Sequence, residues 1–269
     1  MQDEWTAVGN RIAAYSVGLV NTTMVAMNGR YQSESIGTAT AIRGRDRLFL
    51  LTAKHNLDDA GASEFEFMPK TTAAAVFGNS GDPIDPLNVF PRCRIPVVEI
   101  IRCDHEDLAI LLIDEKFEEG KGPSRHMEFF PWRSDLVSPP VGGVVTALGH
   151  PSDRTYVVAD RRRGNSVDRE MGVLKYFISC EVVSDEKGRN IKDYDPAKHF
   201  LVDYSGISNK HQPHGFSGCA WWQHEDHRND IWVANPVFAG VETSFVRSGQ
   251  LLVNIRPEVV SEWVTAVGM

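Results

Sequence analysis

Along most of the chain, apolar residues come in short runs or alternate with polar ones, and each run ends at glycine, proline or a knot of charge. That is the punctuation of short strands. In the first half it predicts strands over residues 22–28, 36–42, 48–52, 64–68, 97–101 and 108–113. Phe65 and Phe67 alternate with Glu64 and Glu66, which marks a strand with one wet face. Asn28-Gly29 predicts a turn, and the polar stretch from Arg43 to Arg47 a hairpin loop. Further strands are predicted over 144–148, 155–159, 173–183, 200–204, 231–234 and 237–243. The amino-terminal stretch reads equally as a helix over 3–15, weakened by Gly9-Asn10, or as a strand over 12–20. Near the other end, Pro257 and Glu258 followed by Val259, Val260, Trp263 and Val267 predict a helix over 258–267.

Residues 115–142 break the rhythm. They carry Gly120, Gly122, Pro123, Pro139 and Pro140, a composition that cannot sit inside a sheet ladder and therefore predicts a connector. Two groups of strands joined in this way and closed by one helix predict an all-β protein of paired antiparallel barrels or sandwiches. Spacing alone leaves that choice open. The expected division is 1–135 and 136–269, with residues 69–95 as a long surface loop controlling access.

Composition narrows the function classes. Lys and Arg number 28 against 36 Asp and Glu, a formal charge of -8, so neither nucleic acid nor an anionic membrane is expected as a partner. No apolar run approaches the ~20 residues of a membrane helix. The acidic start, Met1-Gln2-Asp3-Glu4, lacks the basic and apolar regions of a secretory signal, so a cytoplasmic location is expected. Cys93, Cys103, Cys180 and Cys219 show no CxxC pair and are expected to be reduced and mostly buried. Arg161, Arg162 and Arg163 read as a solvated turn. His211, His214, His224 and His227 lack the strict spacing of a zinc site, and no metal or organic cofactor is expected.

Three segments carry candidate chemistry. Leu51-Thr52-Ala53-Lys54-His55 follows Gly37-Thr38-Ala39-Thr40-Ala41-Ile42; then come Asp107-Leu108-Ala109-Ile110-Leu111 and Gly215-Phe216-Ser217-Gly218. Together they resemble the signatures of the trypsin-like (chymotrypsin-fold) serine peptidases, and the order His, Asp, Ser is the one used on that fold. The absence of a disulfide framework brings the resemblance closer to bacterial members, as does Leu148-Gly149-His150-Pro151, which resembles a turn in their second barrel. The resemblance implies two six-stranded antiparallel β-barrels and a C-terminal helix. His55 and Asp107 would belong to the first barrel and Ser217 to the second. It also implies a serine endopeptidase with Ser217 as nucleophile, His55 as general base and Asp107 as its orienting carboxylate. The amides of Gly215 and Ser217 would form the oxyanion hole.

The pattern departs from the family where Phe216 replaces the aspartate before the nucleophile and Cys219 replaces a glycine, so trypsin-style activation by a freshly cut amino terminus is not expected. By the same correspondence, His211, His214, Thr243 and Phe245 shape the primary pocket. No acidic residue falls within 208–214, which disfavours substrates with Lys or Arg at the cleaved position. The expected partner is a polypeptide substrate; a regulatory protein partner is left open. The alternative reading is a catalytically degenerate peptide-binding module, with Phe216, Trp221, Trp222 and Phe245 lining a groove, or a serine esterase on the same fold.

Overall fold

A computed structural model of the chain describes residues 2–21, 34–58, 74–77, 92–95, 97–117, 127–150, 155–163, 166–173, 176–207, 213–224 and 236–269. The amino-terminal ambiguity resolves into both elements in succession. Helix α1 (Gln2–Tyr15) runs directly into β1 (Ser16–Asn21). Val8, Ile12 and Tyr15 are buried at helical spacing, after which Val17 and Leu19 are buried at a spacing of two, so the change of period marks the junction.

Strands β2 (Glu34–Arg43) and β3 (Leu48–Thr52) form the expected hairpin, closed by the Gly44 N–H on the Arg47 carbonyl at 2.9 Å. The short helix α2 (His55–Asp58) follows. Strands β4 (Ala74–Phe77) and β5 (Arg92–Ile95) pair with each other, and β4 lies beside β1. The stretch foreseen as one long loop over 69–95 thus contains a strand pair; its other residues lie outside the described set. With β6 (Val97–Arg102), β7 (Ala109–Ile113) and β8 (Phe130–Pro131), the first sheet has the order β1-β2-β3-β7-β6, and β8 is parallel to β2.

The second half contributes β9 (Val144–Gly149), β10 (Thr155–Arg163), β11 (Ser166–Val173), β12 (Tyr176–Val183), β13 (His199–Asp203), β14 (Ala220–His224), β15 (Pro236–Val246) and β16 (Leu251–Ile255). Six of these close into a barrel in the order β12-β13-β16-β15-β14-β9. The chain therefore has an all-β trypsin-like fold with one closed six-stranded barrel. The first sheet is open among the described residues, where two closed barrels were expected.

Strands β10 and β11 form a separate pair, so the run foreseen over 173–183 is split between β11 and β12. Arg161, Arg162 and Arg163 lie in β10 rather than in a turn. The register sets Asp160 opposite Arg169 and Arg161 opposite Asp168. The strands foreseen over 22–28, 64–68 and 231–234 lie outside the described residues.

The helix foreseen at the carboxyl end is α3 (Pro257–Ala266), with Pro257 at its first position and Val260 and Val264 buried. A continuous core joins both halves: Ile12 and Tyr15 from α1, Phe49 and Leu51 from β3, Trp222 from β14, Phe238 from β15 and Val264 from α3 belong to one cluster. Trp222 meets Tyr15 at 5.5 Å and Phe130 at 4.9 Å between ring centres. Phe216, Trp221 and Trp222 are core residues at 0, 0 and 2% exposure, so they cannot line a groove. Trp221 is tied inside the barrel by its indole N–H, which donates to Asn254 Oδ1 at 2.6 Å.

Candidate functional site

Antiparallel pairing brings the first two candidate residues together. Strands β3 and β7 are neighbours in register, Thr52 opposite Ala109, so the chain leaving β3 and the chain entering β7 sit at the same sheet edge. There the His55 N–H donates to Asp107 Oδ1 at 2.9 Å, and His55 Nδ1 lies 2.6 Å from Asp107 Oδ2. Both side chains are about one-third exposed, at 35% and 33%. Burial pushes the Asp107 carboxyl up. The hydrogen bonds and charge of His55, with Lys54 adding to them, outweigh that and leave it below its ordinary value. An ionised carboxylate accepts only, so Nδ1 carries the proton and Nε2 is left as the basic nitrogen.

Ser217 sits in the loop from Pro213 to Cys219 that leads into β14, and the first sheet holds that loop by its backbone. The Ser217 carbonyl accepts from the Thr38 N–H at 2.9 Å and from Asn56 Nδ2 at 2.7 Å, while Thr38 Oγ1 donates to the Gly215 carbonyl at 2.6 Å. Asn56 is the residue after His55, so the His55 segment and the Ser217 segment share a support. The loop bends at Gly215 (φ 94°) and Gly218 (φ 85°), both in the left-handed region where glycine is favoured. Among the described residues, neither the Gly215 nor the Ser217 amide donates to a backbone carbonyl. Both residues are half-buried.

At Gly218 the loop also packs tightly against the first sheet. A Cβ there would fall 2.2 Å from both the Thr38 carbonyl oxygen and Thr52 Oγ1, in addition to the strained φ. Gly218→Ala is therefore expected to lower stability by about 2–4 kcal/mol, measured by denaturant unfolding. A change below about 0.5 kcal/mol, the size of a neutral surface substitution, would show that the loop is not clamped.

The remaining candidates scatter. Thr243 is buried, donates to the Val253 carbonyl at 3.2 Å and borders a cleft of about 470 Å³ beside Asp107. Lys54, Glu106, Lys198 and His199 also line that cleft, where Glu106 holds Lys198 at 2.7 Å and His199 at 3.2 Å. Phe245 is half-buried and packs edge-on against Tyr204 at 5.7 Å. His214 is exposed, and His211 lies outside the described residues. Among the described residues no group of three metal-ligating side chains occurs. Cys103, Cys180 and Cys219 are buried free thiols; burial pushes Cys180 up to about 12 and Cys219 well above its ordinary value.

One residue that sequence reasoning missed stands at the centre. Glu242 of β15 is 1% exposed, its N–H bonded to the Cys219 carbonyl at 3.0 Å and its own carbonyl to the Gly218 N–H at 2.8 Å. Burial drives its carboxyl up to about 8, opposed by His55 and by the neighbouring Ser217 hydroxyl, while Asp107 pushes the same way as burial. The available signal was a lone acid between Val241 and Thr243 in an otherwise uncharged run from Val237 to Phe245.

No protein-family model and no curated protein sequence matches the chain. Solved structures do match its fold. A scabies mite protein described as an inactivated protease paralogue superposes with a TM-score of 0.57 at 14% identity, covering 96% of each chain. Human heparin binding protein superposes with a TM-score of 0.54 at 12% identity, covering 96% of this chain and 92% of its own. At such identities the likeness establishes the trypsin-like fold alone.

Proposed function

We propose that the chain is a serine hydrolase that takes an extended polypeptide into its cleft and cuts it through an acyl-Ser217 intermediate. The observation that carries the reading is the His55–Asp107 pair, with a contact of 2.6 Å on the far ring nitrogen. A serine hydroxyl needs a base within reach, and that base needs its tautomer fixed. Asp107 supplies the second condition. In the proposed cycle Ser217 Oγ attacks the scissile carbonyl as His55 Nε2 takes its proton. The oxyanion is received by the Gly215 and Ser217 amides, His55 passes the proton to the leaving amine, and water then repeats the sequence on the acyl-enzyme. Asp107 stays ionised throughout.

A second reading, binding without cleavage, is favoured by two observations. One is the fold likeness to a protein described as inactivated. The other is the buried Glu242 carboxyl, which lies beside Ser217 and could compete with His55 for its hydroxyl. Heparin binding, named for the human protein, draws no support from a chain of charge -8.

Treatment with a fluorophosphonate, read by intact mass and peptide mapping, separates the two. A single adduct on Ser217 that disappears in His55→Ala is expected. A well-folded protein that takes no adduct would leave the binding reading standing. Peptide and ester substrates then divide endopeptidase from esterase.

A further inference from the structure

Glu242 is an acid with no assigned task in the cycle above, yet it shares the space of Ser217. Its backbone is fixed on both sides by the nucleophile loop, through the Gly218 N–H and the Cys219 carbonyl. Its carboxyl lies beside the Ser217 side chain, close enough for the hydroxyl to act on it, and its Oε2 is buried with no hydrogen-bond partner among the described residues. The titratable groups that face it are His55 from α2, Asp107 from the turn before β7 and Cys219 from its own loop. No lysine or arginine acts on it among those described. A carboxyl in such a place, with one anion already beside His55, is stable only as the neutral acid.

The two protonation states ask different things of the serine. A hydroxyl has one proton to donate and two lone pairs to offer. When Glu242 is neutral its O–H can donate to Ser217 Oγ, which leaves the serine proton for His55. An ionised Glu242 accepts only, so the proton between the two oxygens must be the serine's own, turned away from His55. The same ionisation puts a second anion beside His55, which favours the imidazolium and removes the base.

On the premise that the chain is the serine hydrolase proposed above, we infer that Glu242 is a positioning residue whose proton decides whether Ser217 presents its hydroxyl hydrogen to His55. The raised affinity of the carboxyl for its proton agrees, since it keeps the competent form in the majority at neutral pH. An isolated His–Asp–Ser centre gains activity as His55 loses its proton and then stays level. Here the rate falls again as Glu242 ionises, by about tenfold per pH unit once well past the midpoint.

The test is the second-order rate of fluorophosphonate labelling from pH 5 to 10, for the parent and for Glu242→Gln, with melting curves at each pH to confirm folding. Glutamine keeps the shape and an N–H donor but cannot ionise. The parent is expected to lose labelling rate above about pH 8, and the variant to lack that decline, so that its ratio of rates at pH 9.5 and pH 7 exceeds the parent's about thirtyfold. Labelling of both proteins with the same alkaline behaviour overturns the inference and leaves the hydrolase standing. If neither is labelled at any pH where both are folded, the hydrolase reading fails and takes the inference with it. Should the variant not fold, Glu242→Met serves as a second uncharged replacement, read by the same ratio of rates. The absence of an alkaline decline in the parent alone is sufficient to overturn the inference.

Discussion

Replacing Ser217 by alanine is expected to lower peptide turnover about a million-fold while the protein stays folded. The fold tolerates the change because the loop is held through main-chain atoms: the Ser217 carbonyl receives Thr38 and Asn56, and alanine keeps that carbonyl. The activity is expected to be lost, because alanine removes the hydroxyl on which the proposed acyl intermediate forms. Asp107→Asn is expected to cost less, about ten-thousand-fold in kcat, since an amide can present N–H to Nδ1 and favour the wrong tautomer. Its Oδ1 can still accept the His55 N–H, so geometry is largely kept. Both effects are read as kcat on a fluorogenic peptide mixture, with circular dichroism to establish folding. Residual turnover within a hundredfold of the parent in Ser217→Ala would mean that another nucleophile does the work.

The second large effect is on stability. Glu242 titrates near 4.3 in an unfolded chain and near 8 in the folded protein. Below about 4.3 both states hold the proton. Between the two values the folded protein keeps it while the unfolded chain gives it up, so unfolding releases a proton and stability falls as pH rises. The slope approaches 1.4 kcal/mol per pH unit, and the accumulated loss by pH 8 is on the order of 5 kcal/mol. Asp107 works in the opposite sense: its folded value is depressed, so its contribution is present above about 3.9 and is lost only on acidification. It therefore leaves the window from 4.5 to 8 undisturbed. Urea unfolding of Ser217→Ala with and without Glu242→Gln, across that window, isolates the effect without self-digestion. The difference in stability between the two proteins should change steadily with pH and level off above about 8; a constant difference would mean that Glu242 is ionised in the folded state.

Much of the architecture could be read from local pattern. The strands from β2 and β3 through β6, β7, β9 and β15 and the closing helix α3 lie where apolar spacing and Pro or Gly placement predicted them, whereas the stretch over 115–142 contains β8. These features depend on neighbours within a few residues, and a sequence displays such neighbours directly. Candidate chemistry was legible for the same reason. His55, Asp107 and Ser217 each lie inside a short pattern, and their order along the chain points to one fold among those that use such a triad.

Other features depend on residues far apart in the chain, and there local pattern misled or was silent. α1 and β1 share one stretch because Tyr15 packs against Trp222 while Val17 turns into the first sheet, a partition that only the packed core decides. Phe216, Trp221 and Trp222 have the composition of a groove and the position of a core. Asn56 and Thr38 carry no chemical signature, yet they hold the nucleophile loop by bonds spanning 161 and 177 residues of chain. Glu242 is the sharpest case. In sequence it is one more acid among 36, and only the closure of β15 against the nucleophile loop removes it from water and sets it beside Ser217, His55 and Asp107. The sequence by itself determined which residues could perform the chemistry and the short elements that carry them. The tertiary structure decided which charges lie together out of water, because desolvation and Coulomb interaction depend on distances that chain order does not contain.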